Sequence, residues 1–220
     1  MPPSELGPRH DAAPWSGTAL RDEPEHWPVR ERTIRYRGPV FSVATDLVEM
    51  PDGAVAPRDL VRRAGAVAVL PYDEEADRLL LLRQYRHPAG MALWELPAGL
   101  CDVDGEPPGR TAERELYEEA HLRAADWREL VRFYLSPGMT DETLIIYLAR
   151  DLTEIDAGDR HVGEHEEARL EPAWVSRSDA VEGILAGRLG NPGTVAGVLA
   201  LSAVLGSPAG LSGLSGLSPG

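Results

Sequence analysis

The chain has 220 residues, long enough for one large domain or a main domain with a small appendage. At 43% hydrophobic residues it can build a sizeable core, which excludes global disorder. Its 22 basic residues, all arginine, stand against 36 acidic ones for a formal charge of −14. That balance makes the chain a poor candidate for sequence-independent nucleic-acid binding, which depends on basic neutralisation of phosphates.

Residues 1–25 are rich in proline and charge, show no periodicity, and read as a tail. Three strands follow in "TIRYRG", "FSVATDLVEM" and "APRDLVRR", separated by "GP" and "PDG" turns. "AGAVAVLPY" is a continuous apolar run typical of a buried strand, with "DEEAD" as its turn and "RLLLLRQYR" as its partner. "LWELPAGL" reads as a short strand interrupted by Pro97 and Gly99. After the loop "CDVDGEPPG" a helix is expected from Thr111 to about Ala120, with Pro107 and Pro108 at its start and Thr111 or the loop's end as cap. Strands come next at "WRELVRFYL", "ETLIIYLAR" and "EPAWVSR", then helices around Arg177–Leu189 and Thr194–Leu205. The final Gly/Ser/Leu/Pro segment, residues 206–220, is expected to be disordered.

A lone cysteine, Cys101, excludes an intrachain disulfide and suits a reducing cytosol. The first fifteen residues lack an apolar signal core, and no apolar run is long enough to span a membrane. A cytoplasmic protein without membrane contact is therefore expected.

The chemistry concentrates in "RELYEEAHL". On a helix Glu115, Glu118 and Glu119 stand at i, i+3 and i+4 and share one face, where like charges repel. Two readings are open for such a face. It is solvated, as most charged runs are, or it holds hard divalent cations, which prefer carboxylate oxygens, beside a phosphate.

The surrounding residues bear on that choice. Gly99, Glu106, Arg114, Glu115, Leu116, Glu118, Glu119 and Leu122 together resemble the Nudix box, G-x5-E-x7-R-E-U-x-E-E-x-G-U, where U is bulky and aliphatic. Two departures stand out. Six residues rather than five separate Gly99 from Glu106, and His121 occupies the place of the final glycine. The insertion falls in a polar loop, where extra length is tolerated. A histidine in a left-handed helix terminus costs on the order of 1 kcal/mol, although it is among the side chains that adopt positive φ.

"LLRQYRHPAGMALWELPAGL", "SPGMTDE" with Pro137 fifteen residues beyond Leu122, and "NPGTVAGVLAL" resemble the ADP-ribose pyrophosphatase branch of that family. The resemblance covers residues 32–205. It implies an α/β fold, a Nudix α/β/α sandwich around a mixed β-sheet, plus a small N-terminal antiparallel β-domain. The expected division is a tail (1–25), the β-domain (26–63), the hydrolase domain (64–205) and a second tail (206–220).

The same resemblance implies two to three Mg²⁺ or Mn²⁺ ions held by Glu115, Glu118, Glu119 and the carbonyl of Ala98. Glu106 and Arg114 are implied to be structural, an ion pair bracing the loop onto the helix. A mobile loop containing "VGEHEEARLE" is implied to bring Glu166, or else Glu164, over the metals, with Glu167 a weaker third. Arg86 and Arg58 match phosphate- or ribose-contacting positions, with Asp59 and Glu142 as polar partners and Phe41 as an adenine-stacking side chain. Trp94 reads as core, while His165 and Cys101 have no metal-ligand spacing. Members of this branch are homodimers in which the N-terminal strands help build the partner's pocket.

The expected function is Mg²⁺-dependent hydrolysis of the diphosphate of ADP-ribose to AMP and ribose 5-phosphate. Hydrolysis of other nucleoside diphosphate sugars is the runner-up. A non-catalytic ADP-ribose-binding sensor is the rival from another class; such proteins usually lose box carboxylates, whereas this chain keeps all three.

Overall fold

The computed structural model describes residues 20–161 and 169–214. Two sheets organise this part of the chain. The first is antiparallel and three-stranded: β1 (Val29–Arg37), β2 (Phe41–Glu49) and β3 (Val55–Arg63), with β2 central. Its register sets Phe41 opposite Arg63 and Glu49 opposite Val55. The β2–β3 turn closes through Gly53, at φ 82°, a left-handed conformation that glycine adopts without strain.

The second sheet has seven strands: β4 (Ala66–Asp73), β5 (Arg78–Arg86), β6 (Met91–Glu95), β7 (Ala98–Leu100), β8 (Leu122–Tyr134), β9 (Thr143–Glu154) and β10 (Glu171–Ser176). Its order is β10-β5-β4-β9-β8, with β6 added to β5 and β7 added to β4. β4 and β9 run parallel while the other pairs are antiparallel, so the sheet is mixed.

The apolar run of β4 is explained by burial on both faces. Val67 and Val69 pack with Ala112 and Leu116 of α1 (Pro108–Ala120). Ala68, Leu70 and Tyr72 point the other way, into a cluster with Ala180 of α2 (Arg177–Leu185) and Val198 and Leu201 of α3 (Pro192–Leu205). The result is an α/β/α sandwich, with α1 on one face and α2 and α3 on the other among the described residues. α3 is apolar nearly all round because it lies deep: Gly193, Thr194, Gly197, Val198 and Leu201 are all buried.

Several elements differ from the sequence-based expectations. α1 starts at Pro108, not Thr111, because proline suits the first helical position. Thr111 is therefore interior and fully buried, and it is not the cap. "LWELPAGL" is two strands that pair with different neighbours, β6 with β5 and β7 with β4. β8 begins at Leu122, immediately after the helix, and β9 continues to Glu154. α2 ends at Leu185 rather than Leu189, where Gly187 at φ 71° turns the chain and Arg188 and Leu189 donate back to the Gly183 carbonyl.

The C-terminal segment, expected to lack structure from residue 206, instead forms a 3-10 helix at Gly210–Gly213. Leu211 and Leu214 pack against the α3 side of the core, and Arg128 Nη1 donates to the Leu214 carbonyl at 3.4 Å. Leucines recurring every third residue supply apolar contacts that a reading of Gly/Ser content overlooks. Among the described residues, no helix is long and apolar enough to cross a membrane.

Leu116 is the side chain that seats α1 on the sheet, and it is fully buried. Leu116→Ala is expected to lower unfolding stability by about 2–5 kcal/mol, from lost burial and the cavity left behind. Urea denaturation followed by circular dichroism measures it.

Candidate active site

α1 buries one stripe, Thr111, Ala112, Glu115 and Leu116, although one of those four side chains is a carboxylate. What Glu115 is buried against explains this. A Cβ added at Gly99 would stand 2.0 Å from Glu115 Oε1 and 2.3 Å from its Cδ, so β7 passes directly over that carboxylate. Only glycine permits this approach. One turn further along, Glu119 Oε2 accepts a hydrogen bond from the Ala98 backbone N–H at 2.8 Å. Two glutamates of the box are thus seated on the two residues Ala98 and Gly99.

Arg114 closes the other side. Its Nη1 donates to Glu115 Oε1 at 2.7 Å and to Glu118 Oε2 at 3.1 Å, while Nη2 lies 3.7 Å from Glu106 Oε2. Burial pulls this guanidinium's pKa down, but the charges of Glu115, Glu118 and Glu106 and the hydrogen bond it donates to Glu118 outweigh that and hold it above the ordinary arginine value. Glu106 takes its short hydrogen bond from the Thr111 hydroxyl, at 2.8 Å. The expected Glu106–Arg114 pair is therefore present but loose, and Arg114 spends its close contacts on Glu115 and Glu118.

The helix terminates at His121, whose φ of 53° and ψ of 39° are left-handed, as its place in the motif requires. Its backbone N–H reaches Tyr117 O at 3.2 Å, and its carbonyl accepts from Ile155 N at 2.9 Å. The ring is less well served: Nδ1 is buried without a hydrogen-bond partner among the described residues.

Ala98 and Gly99 also line a cavity of about 550 Å³. Arg63, Arg86, Glu95 and Glu142 supply its charged side chains, and Asn191–Gly193 at the start of α3 form another wall. Arg86 is held by Glu95 through Nε to Oε1 at 3.0 Å and Nη2 to Oε2 at 2.7 Å, a bidentate pair with a nearly fully buried carboxylate. Arg63 Nε lies 3.4 Å from Glu142 Oε1.

The carboxylates meet the requirements of a hard cation in kind: the donors are all oxygen, and Gly99 leaves the backbone room to approach them. As the side chains stand, no three such groups among the described residues converge on one point. Arg114 lies between Glu115 and Glu118, and Glu119 is turned onto the Ala98 amide.

Other expected site residues lie elsewhere. Arg58, Asp59 and Phe41 belong to the three-stranded sheet and do not line the cavity. Arg58 is exposed and donates to its neighbour's carbonyl, Pro57 O, while Asp59 accepts from the Thr45 hydroxyl at 2.6 Å. Phe41 is exposed and packs on Tyr36, with ring centroids 5.6 Å apart. Trp94 packs against the α3-side core. Glu164, Glu166 and Glu167 lie outside the described residues.

Two of the cavity's four charged residues escaped the sequence reading. Glu95 had a legible signal, an acidic residue inside an apolar strand, which must find a cation when buried. Arg63 had none, because nothing local distinguishes it from Arg62.

The model of the NUDIX domain matches residues 62–192. The chain belongs to the NUDIX domain family. It is 42% identical over 169 residues to an ADP-ribose pyrophosphatase of Mycobacterium tuberculosis, covering 77% of this chain and 80% of that protein. It is 33% identical over 175 residues to a CMP-5'-(N-acetyl-N-hydroxy-3-aminopropyl)phosphonate hydrolase of Streptomyces rubellomurinus, covering 80% of this chain and 82% of that one. A solved structure described as an ADP compounds hydrolase superposes with a TM-score of 0.70 at 20% identity, covering 84% of this chain and 97% of its own, which shows the shared fold.

Gly99→Ala is expected to leave a folded protein whose Glu115 carboxylate is displaced. Titration with Mn²⁺ followed by electron paramagnetic resonance should show weaker binding than the unaltered chain, and unchanged affinity would contradict the seating argument.

Proposed function

We propose that this NUDIX hydrolase cleaves the diphosphate of ADP-ribose into AMP and ribose 5-phosphate. The observation that carries the reading is the carboxylate face of α1, set on the Ala98–Gly99 strand that also walls an arginine-bearing cavity. The 42% identical relative named an ADP-ribose pyrophosphatase supports the choice of substrate.

Glu115, Glu118, Glu119 and the Ala98 carbonyl are the groups that would hold Mg²⁺ or Mn²⁺, two to three ions in all. Such ions, when bound, offset the diphosphate's charge and make water a stronger nucleophile. The chain's own part is to orient and to move a proton. Arg86, pinned by Glu95, presents its guanidinium to the phosphates as a pre-oriented donor. Glu166, or else Glu164, takes the proton from the attacking water. The water oxygen bonds to one phosphorus, the bridging P–O bond breaks, and the bridging oxygen leaves on the other phosphate.

Arg58, Asp59 and Phe41 fit this scheme as contributions to the pocket of a second copy. Ile34, Tyr36, Val40 and Phe41 expose apolar surface on or beside the three-stranded sheet, as a homodimer interface would. The acidic chain and its single cysteine fit a cytoplasmic setting without nucleic-acid partners.

Hydrolysis of another nucleoside diphosphate sugar is the second reading, favoured by the 33% identical relative, whose name specifies a CMP-linked phosphonate. Chromatography of products after incubation with Mg²⁺ and ADP-ribose, beside a panel of UDP-, GDP- and CDP-sugars, separates the two. AMP from ADP-ribose at the highest kcat/KM is the expected result; preference for another sugar nucleotide would replace it.

Glu119→Gln should cut turnover on the order of a hundredfold or more while circular dichroism shows an intact fold. For the loop, Glu166→Gln is expected to lower kcat roughly 10²- to 10⁴-fold, the range of a lost general base, and Glu164→Gln far less. The reverse ranking would transfer the role to Glu164.

A further inference from the structure

Arginines are the only side-chain cations available here apart from histidine, and the cavity beside the carboxylates has two of them, Arg63 and Arg86. They are held in different ways. Arg86 has two short hydrogen bonds to Glu95, which fix the plane of its guanidinium. Arg63 faces Glu142 at 3.4 Å from Nε, and that Nε is buried without a hydrogen bond. A buried guanidinium N–H left unmet is unfavourable, and an anionic oxygen is the partner that relieves it best.

The backbone of Glu142 is anchored on both sides. Its backbone N–H donates to the Thr140 hydroxyl at 3.1 Å, its carbonyl accepts from Leu135 N at 3.1 Å, and its carboxylate is buried. The backbone around Arg63 is anchored as well. This residue is the last of β3, and two residues later Gly65 O accepts from Cys101 N at 2.9 Å. Between these two anchors the guanidinium is aimed at the cavity and incompletely satisfied.

We infer that Arg63 is a further substrate-binding residue, donating to a phosphate oxygen of the bound diphosphate, with Glu142 as the positioning residue that holds it over the cavity. The inference rests on the reading of this site as a diphosphate hydrolase. Arg63 exchanges its 3.4 Å contact with Glu142 for a charge-assisted hydrogen bond with the ligand, whereas Arg86 keeps its orientation throughout. The cavity's four charged side chains cancel formally, two of each sign, so an arginine that turns from its carboxylate to the diphosphate adds a cationic contact to the one Arg86 presents.

The test uses the full chain with Arg63→Gln and Arg63→Lys. Binding is measured by isothermal titration, with Mg²⁺ present, for inorganic pyrophosphate and for ADP-ribose whose bridging oxygen is replaced by carbon. Turnover of ADP-ribose and thermal stability are measured in parallel. Arg63→Gln is expected to weaken both probes roughly 10- to 100-fold and to raise KM more than it lowers kcat, since the contact forms on binding. Arg63→Lys should recover part of the affinity, because it restores charge without the planar fork.

Unchanged affinity in Arg63→Gln, with only a lower melting temperature, would make Arg63 structural and overturn the proposal. If the unaltered chain binds pyrophosphate but does not turn over ADP-ribose, the substrate reading fails alone, and the pyrophosphate affinities of the variants still decide the role of Arg63. If the unaltered chain binds neither probe, both readings fall.

Discussion

The structure turns on one close approach: a helix bearing the three box glutamates, Glu115, Glu118 and Glu119, is pressed against a strand that has no side chain at the point of contact. Gly99 lets β7 run within van der Waals reach of Glu115, and Leu116 and Ala112, on the buried stripe of the same helix, lock α1 to Val67 and Val69 of the sheet. The apolar stripe supplies the free energy that holds the acidic side chains in place. Charges that would repel one another on an isolated helix are thus fixed where the fold needs them. Any residue larger than glycine at position 99 would open that seat.

Electrostatics follow the same economy of placement. In a chain of net charge −14, the arginines near the site are distributed among carboxylates in pairs and small clusters. Arg114 bridges Glu115 and Glu118, Arg86 is clamped by Glu95, and Arg63 leans on Glu142. The pairs differ in tightness, and tightness decides behaviour. A bidentate pair with a buried partner is a fixed fixture, whereas a pair at 3.4 Å with an unmet N–H is able to exchange partners.

The three-stranded sheet extends the site's influence beyond its own cavity. Val61 N donates to Met139 O at 2.8 Å, and Val61 bridges Thr140, so β3 is stitched to the segment that ends in Glu142. The sheet's exposed aromatic and aliphatic residues and the pocket are therefore mechanically adjacent, although Arg58, Asp59 and Phe41 do not reach the cavity of their own chain.

Much of this was written in one dimension. The apolar run of β4, the i, i+3, i+4 glutamates and the spacing back to Gly99 all depend on near neighbours in sequence, so period and motif alone located the helix, its acidic face and the strand it meets. His121 at a left-handed helix end was legible for the same reason. Tertiary packing decided the rest. "LWELPAGL" split because its two halves met different strands, and "GLSGL" became ordered because its leucines found the core. Arg62 and Arg63 are chemically identical, and only the fold sends one to an exposed ion pair with Asp141 and the other to Glu142 in the cavity. Sequence by itself determined which groups could carry the chemistry, because motif spacing is a local geometric property. Which arginine is held fast and which is left able to exchange was decided by distances between segments far apart in the chain, and those exist only once the sheets have packed.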